Sequence, residues 1–172
     1  MRNYFMQSER IGFSIFTKED LNLAIQLWTN EKVCEYICAT KIFSNEEIKE
    51  RLNFEISNQE SYNVQYWPIF LLESNKFMGV CGLRPYDISG NIYEIGIHLC
   101  EEYWSKGYAL EAVLKVMDYA CNTLKIKRLY AGHNPNNIKS RNILTRLGFQ
   151  YYKEEYYKPT GLMHPSYLYK YK

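Results

Sequence analysis

The stretch Glu94-Ile-Gly-Ile-His-Leu-Cys-Glu-Glu-Tyr-Trp-Ser-Lys-Gly-Tyr-Ala-Leu-Glu-Ala112 changes its hydrophobic period halfway along, and that change decides the fold class. Ile92 to Leu99 is a short apolar run of strand character. After Gly107 the period turns helical: Ala109, Ala112, Val113, Val116, Met117, Ala120 and Leu124 share one face, with Glu111, Lys115, Asp118 and Asn122 opposite. A strand therefore runs through a loop into a long amphipathic helix. The first turn of such a helix leaves backbone N–H groups without partners, and these carry partial positive charge. Gly107 lets a ligand come close to the backbone, Ala109 keeps a neighbouring position small, and Lys106 offers a mobile cation. This arrangement suits a pyrophosphate, although any ordinary helix start shares part of it.

Working outward, Trp67 to Leu72 and Phe77 to Leu83 are two further strand-like runs. Ser74-Asn75 and Ser89-Gly90-Asn91 are turn signals between runs, so an antiparallel meander is expected. Nearer the N-terminus, Arg10 to Phe16 reads as a strand, followed by a helix capped by Thr17 with an apolar stripe from Leu21 to Trp28. Ser44 and Glu47 form a capping box that opens a second helix running to about Phe54. Downstream, Arg128 to Ala131 reads as a strand and Asn137 to Leu147 as a helix stopped by Gly148. Two Tyr-rich strands, about 150–157 and 166–171, close the pattern, with Pro159 to Pro165 read as a connection. The order β-α-α-β-β-β-α-β-α-β-β gives an α/β (α+β) fold with a mixed sheet and helices on both faces. No linker or repeat divides the chain, so residues 1–172 are read as one domain.

Composition narrows the function. Twenty-one Lys and Arg against nineteen Asp and Glu leave a net charge of +2, which is no footprint for nucleic acid or an anionic membrane. No run approaches the roughly 20 apolar residues of a membrane span, and MRNYFMQSER lacks the apolar core of a secretory signal. The five scattered Cys are expected to be reduced thiols in a cytoplasmic protein. Cys34 and Cys38 have helical spacing but no second ligand pair, and His133 and His164 show no metal spacing, so no metal is expected. The Tyr cluster of the last two strands could stack on bases, but cross-strand packing explains it better.

A second informative stretch, Asn134-Pro-Asn-Asn137-Ile-Lys-Ser140-Arg-Asn-Ile-Leu-Thr-Arg-Leu-Gly-Phe149, is a turn followed by a helix. It follows the next strand along, where a ligand crossing the strand ends would pass. Taken in order, Glu9 to Leu21, Met78-Gly-Val-Cys-Gly82, Glu94-Ile-Gly96, Tyr103-Trp-Ser-Lys-Gly-Tyr-Ala109, Asn137-x-x-Ser140 and Leu147-Gly-Phe149 resemble the GNAT superfamily of acetyl-CoA-dependent N-acetyltransferases. The closest likeness is to its RimJ/RimL-type branch, and it covers nearly the whole chain.

The resemblance implies a mostly antiparallel central sheet and acetyl-CoA as cosubstrate, with no metal. By likeness, the backbone amides of Trp104, Ser105, Lys106, Gly107, Tyr108, Ala109 and Leu110 hold the pyrophosphate. The strand Ile97, His98, Leu99 pairs with the pantetheine arm, and one of its amides polarises the thioester carbonyl. Asn137 contacts the arm or acetyl end, and Ser140 matches the position proposed to protonate the departing thiolate. Two positions depart from the wider superfamily: Trp104 stands where Gln or Arg is frequent, and Leu144 where many members carry a Tyr general acid.

Acyl transfer requires a neutral amine, so something must accept its proton. Glu94 is the best-placed carboxylate and reads equally well as base or as clamp for the amine. His98 shares its strand face and has an ordinary pKa near neutrality, although a structural role suits it better. The function expected is acetyl transfer to a primary amine, either a peptide N-terminus or a small molecule, by direct attack in a ternary complex. A non-catalytic CoA-binding module and an aminoglycoside acetyltransferase are the alternatives. The chain shows no dense acidic cluster for a polycationic antibiotic, which favours a monoamine. Homodimerisation is left open.

Overall fold

The computed structural model describes residues 2–171. Its centre is one eight-stranded sheet in the order β1-β2-β3-β4-β5-β6-β8-β7. The strands are β1 (Met6–Gln7), β2 (Ile11–Phe13), β3 (Tyr66–Leu71), β4 (Lys76–Asp87), β5 (Ile92–Leu99), β6 (Arg128–Gly132), β7 (Gln150–Tyr157) and β8 (Leu162–Lys170). The helices are α1 (Leu21–Trp28), α2 (Glu31–Cys34), α3 (Asn45–Tyr62), α4 (Tyr108–Asn122) and α5 (Ile138–Arg146). Strands β2 to β5 pair antiparallel through short turns, as the meander reading expects, and Asn75 and Asn91 take the left-handed turn positions.

The sheet changes character between β5 and β6. These two strands run parallel, and their ladder lasts only from Ile92 opposite Arg128 to Glu94 opposite Tyr130. Beyond that point β5 continues along β4, whereas β6 continues along β8. Helices cover both faces. α1 and α3 lie on the face carrying Tyr66, Arg84 and His98, where Trp28 bonds His98 and Glu55 bonds Arg84. α4 packs on the opposite face, against β4 and β5, with Tyr119 edge-on to Trp67. The buried core runs through both layers, from Phe13, Trp28 and Ile48 to Val113, Val116 and Leu129.

Four local readings need correction. The Arg10 to Phe16 strand is only Ile11–Phe13, and it forms a hairpin with β1, whose two residues are too few to leave a periodic signal. Thr17 opens a short 3₁₀ turn before α1, and its N–H and hydroxyl both donate to Asp20, which Arg2 also pairs. α3 runs two turns beyond Phe54 because Glu55 and Asn58 are buried there; it ends at Asn63, which is left-handed. Finally, Leu162 to Pro165 belong to β8, so the connection shrinks to a turn ending at Gly161. Pro165 is tolerated in this interior strand because its carbonyl accepts from His133 N–H just past the end of β6. Its missing N–H would face that same side, where the ladder has already stopped.

Candidate active site

The loop between β5 and α4 is shaped for an anion. Ser105 (φ 60°) and Gly107 (φ 83°) both adopt left-handed backbone, and together they turn the chain into the helix. A Cβ at Gly107 would meet only ordinary contact, so the requirement there is conformational, not spatial. The N–H groups of residues 105 to 110 donate no hydrogen bond to any described residue. Six consecutive free donors at the positive end of a 15-residue helix make a strong anion site. Lys106 Nζ bonds the Glu102 carbonyl at 2.7 Å and is exposed. A cation that the sequence reading overlooked, Arg10, braces the loop: it pairs with Glu111, donates to the Lys106 carbonyl and lies 4.2 Å over the Tyr108 ring. Trp104 closes the loop's base by donating from Nε1 to the Leu99 carbonyl at 2.8 Å.

From this loop the parted strands lead inward. The bond from Cys100 N–H to Met78 C=O fixes the alternation of the ladder: His98 and Gly96 bond β4, while Ile97 and Leu99 turn their peptide groups toward the departing β6. Beyond Glu94 no strand meets them. The cleft opens into a cavity of about 390 Å³, lined on one side by Glu94 to His98 and on the other by Tyr130 to Asn134, with Asn137, Ser140 and Leu144. Glu94, Ile97, His98, Asn137 and Ser140 are therefore brought together, and the loop residues 104–110 stand at the far end of the same strand.

At the inner end a polar network surrounds Glu94. The Tyr66 hydroxyl donates to Glu94 Oε1 at 2.5 Å. Gly96 makes room for it, since a Cβ there would lie 2.0 Å from that hydroxyl. Burial and the neighbouring carboxylate push the Tyr66 pKa well up, so the phenol stays protonated and donates. Arg84 stacks 3.8 Å over the Tyr66 ring and pairs with Glu55, which is fully buried and also accepts the Tyr66 N–H at 2.8 Å. His98 lies beside them, its Nδ1 accepting from Trp28 Nε1 at 3.3 Å. Burial, with Arg51 and Arg84 nearby, drives its pKa well down, so it stays neutral and does not titrate near pH 7 as its ordinary pKa would suggest.

Residues 10–150 match the family described as "Acetyltransferase (GNAT) domain". The chain belongs to the GNAT acetyltransferase family. It is an acetyl-CoA-dependent N-acetyltransferase. A relative from Bacillus licheniformis, "Uncharacterized N-acetyltransferase p20", is 27% identical over 145 residues, covering 84% of this chain and 82% of that protein. An acetyltransferase structure from Agrobacterium tumefaciens superposes with a TM-score of 0.81 at 19% identity over 99% of both chains. RimL, described as a ribosomal L7/L12 alpha-N-protein acetyltransferase, superposes at 0.82 with 16% identity over 99% of this chain and 96% of its own. At those identities the structures establish the fold, and RimL has been solved with coenzyme A.

Several residues of this GNAT site take definite structural places. Asn137 caps α5, its side-chain oxygen accepting from Ser140 N–H at 3.0 Å. Ser140 is partly exposed on the cavity wall, and Leu144 is buried beside it, offering no hydroxyl. One phenol fixed in the wall is Tyr130, which donates to Glu155 and stacks on Tyr86 at 3.9 Å. Four of the five thiols are buried, and burial pushes Cys34 and Cys100 up to about 12, too high to supply a thiolate. Among the described residues no three His, Cys, Asp or Glu side chains group as metal ligands, and no helix is long and apolar enough to cross a membrane.

Arg84, Glu55 and Arg51 were absent from the sequence reading. One signal for Arg84 existed: a hairpin turning at Ser89-Gly90 places it opposite Glu94, and it does so here.

Proposed function

We propose that this enzyme moves acetyl from acetyl-CoA to the primary amine of a small monoamine acceptor, by direct attack while both are bound. The observation that carries the reading is the parting of β5 from β6 after Glu94, with six free N–H groups at one end and a hydrogen-bonded carboxylate at the other. Those residues fit acetyl-CoA: residues 105 to 110 offer donors for a pyrophosphate, and the unpaired edge of Ile97 and Leu99 offers peptide groups to an extended amide-bearing arm. Acetyl-CoA supplies an acetyl group activated on sulfur, whose C–S bond breaks as the new C–N bond forms. The Ile97 peptide N–H, fixed and unmatched within the sheet, stands ready for the carbonyl oxygen as negative charge grows there. Glu94 holds the acceptor nitrogen and takes its proton through Oε2, since Tyr66 occupies Oε1. The Ser140 hydroxyl, with no side-chain partner among the described residues, gives a proton to the leaving sulfur. The cavity wall carries Arg51 and Arg84 alongside Glu94 and Glu155, a balance ill suited to a polycationic aminoglycoside.

Gly107→Val tests the reading. A β-branched residue at φ 83° forces the loop to re-form, so acetyl-CoA affinity should fall by roughly tenfold or more in calorimetry, with thiol release falling in step. Wild-type affinity in a folded Gly107→Val protein would remove the pyrophosphate assignment.

A further inference from the structure

The charges lining the cavity do not all cancel within the protein. Glu55 is spent on Arg84 and the Tyr66 N–H. Glu155 is paired with Lys153 and accepts from Tyr86 and Tyr130. Among the described residues this leaves one carboxylate and one guanidinium lining the cavity with no ion-pair partner, Glu94 and Arg51.

Arg51 sits on α3 one turn before Glu55. Its guanidinium carbon lies 4.3 Å from the centre of the Phe43 ring and 5.0 Å from that of Trp28, so the group's position is set by two aromatic neighbours and does not wander like a surface arginine. Its Nε is buried and has no hydrogen-bond acceptor among the described residues. The polar groups nearby that favour its charge are the Tyr157 hydroxyl and the Glu55 carboxylate, which is committed to Arg84. A buried, charged N–H left without an acceptor is a standing cost to the folded protein, and proteins seldom keep one that nothing relieves. Burial and the nearby Arg84 press the Arg51 pKa down by more than Tyr157 and Glu55 hold it up, so its charge is answered only in part within the protein. A planar guanidinium held this way matches a carboxylate in two-point geometry.

We infer that Arg51 binds a carboxylate of the acceptor, so that the substrate class is zwitterionic: a free amino acid or a close analogue, with its amine on Glu94 and its carboxylate on Arg51. This rests on the acetyl-transfer reading above and narrows it. One anion and one cation on the wall then meet one cation and one anion on the ligand, and the pair enters the cavity without a net charge to desolvate. A protein N-terminus, whose α-carbonyl is an amide, leaves Arg51 unanswered.

The experiment compares matched acceptors on the wild-type enzyme, with thiol release as readout. Free L-amino acids of differing side chain are set against their amides and their decarboxylated amines. The acids should be preferred by roughly 10- to 100-fold in kcat/KM, the range expected for a hydrogen bond to a charged group. Arg51→Gln should bring the acid-to-amide ratio close to one, and Arg51→Lys should keep part of it, since it retains charge but loses the fork. If Arg51→Gln does not fold, the wild-type ratio and the Arg51→Lys ratio still decide. Amides or simple amines matching the acids, or a ratio untouched in a folded Arg51→Gln protein, would overturn the inference while leaving acetyl transfer standing. So would failure of every amino acid in an enzyme shown by calorimetry to bind acetyl-CoA. Failure to bind acetyl-CoA would instead overturn the reading beneath it.

Discussion

His98 is legible in the sequence as a strand residue on the face of Glu94, but its protonation is decided by neighbours from distant parts of the chain. Trp28 donates to its Nδ1, which must therefore keep its lone pair, while Arg51 and Arg84 oppose a positive charge. Its folded pKa lies well below 6.5, and its unfolded value is the ordinary one. The stability tied to this neutral imidazole is then complete above about pH 6.5 and is lost as pH falls from there toward the folded pKa, by up to about 1.4 kcal/mol per pH unit. His98→Gln keeps an acceptor for Trp28 and has no proton to gain. Urea unfolding between pH 7 and pH 5 should show the wild type losing stability more steeply than His98→Gln. Parallel slopes would mean that His98 takes up no proton on unfolding.

At the scale of elements, what could be read and what could not divide by the range of the forces involved. The meander β3–β4–β5 and the start of α4 follow from local signals: apolar runs, Asn turns, and a change of period at Gly107. The Ser44 cap was equally local, and it forms as expected, with Glu47 bonding back to the Ser44 N–H. The last two turns of α3 were hidden because Glu55 and Asn58 look solvent-bound in sequence. Only the fold reveals that Glu55 is buried against Arg84, 29 residues away. The site divided in the same way: its loop, Glu94 and the hairpin partner Arg84 carry signals along the chain, whereas Arg51 and Glu55 gain meaning only from the partners they meet. The late segment misled for a related reason. Two Pro and a Gly read as a loop, yet Leu162, Met163 and His164 pair with Tyr157, Tyr156 and Glu155. Deleting Thr160 to His164 should therefore lower the melting temperature sharply and impair acetyl-CoA binding together with acceptor use. A cooperative melt with normal acetyl-CoA affinity would restore the loop reading.

For the whole molecule, the two halves of the sheet are joined only by a three-residue ladder between β5 and β6 among the described residues. A ligand lying in the gap touches both, so binding should be visible on either side. Hydrogen exchange with acetyl-CoA present should slow at Ile97, Leu99 and residues 105 to 110, and leave β1 and β2 unchanged. At a hundredfold excess over Kd the protein should gain about 2.7 kcal/mol of stability. Protection confined to β7 and β8 would place the ligand elsewhere. The strand order carries one more consequence, for biosynthesis. β8 lies between β6 and β7, yet it leaves the ribosome after every other described strand. Until it arrives, β6 can hold only its short ladder to β5, and β7 has no partner at all. The wall of the cavity that bears Tyr130 to Asn134 is thus unsupported from the synthesis of β6, which ends at Gly132, until that of β8, which begins at Leu162. The nascent chain must wait, with an open strand edge, for its final pairing, and the stretch from β6 onward is where interrupted synthesis should leave the most aggregation-prone product.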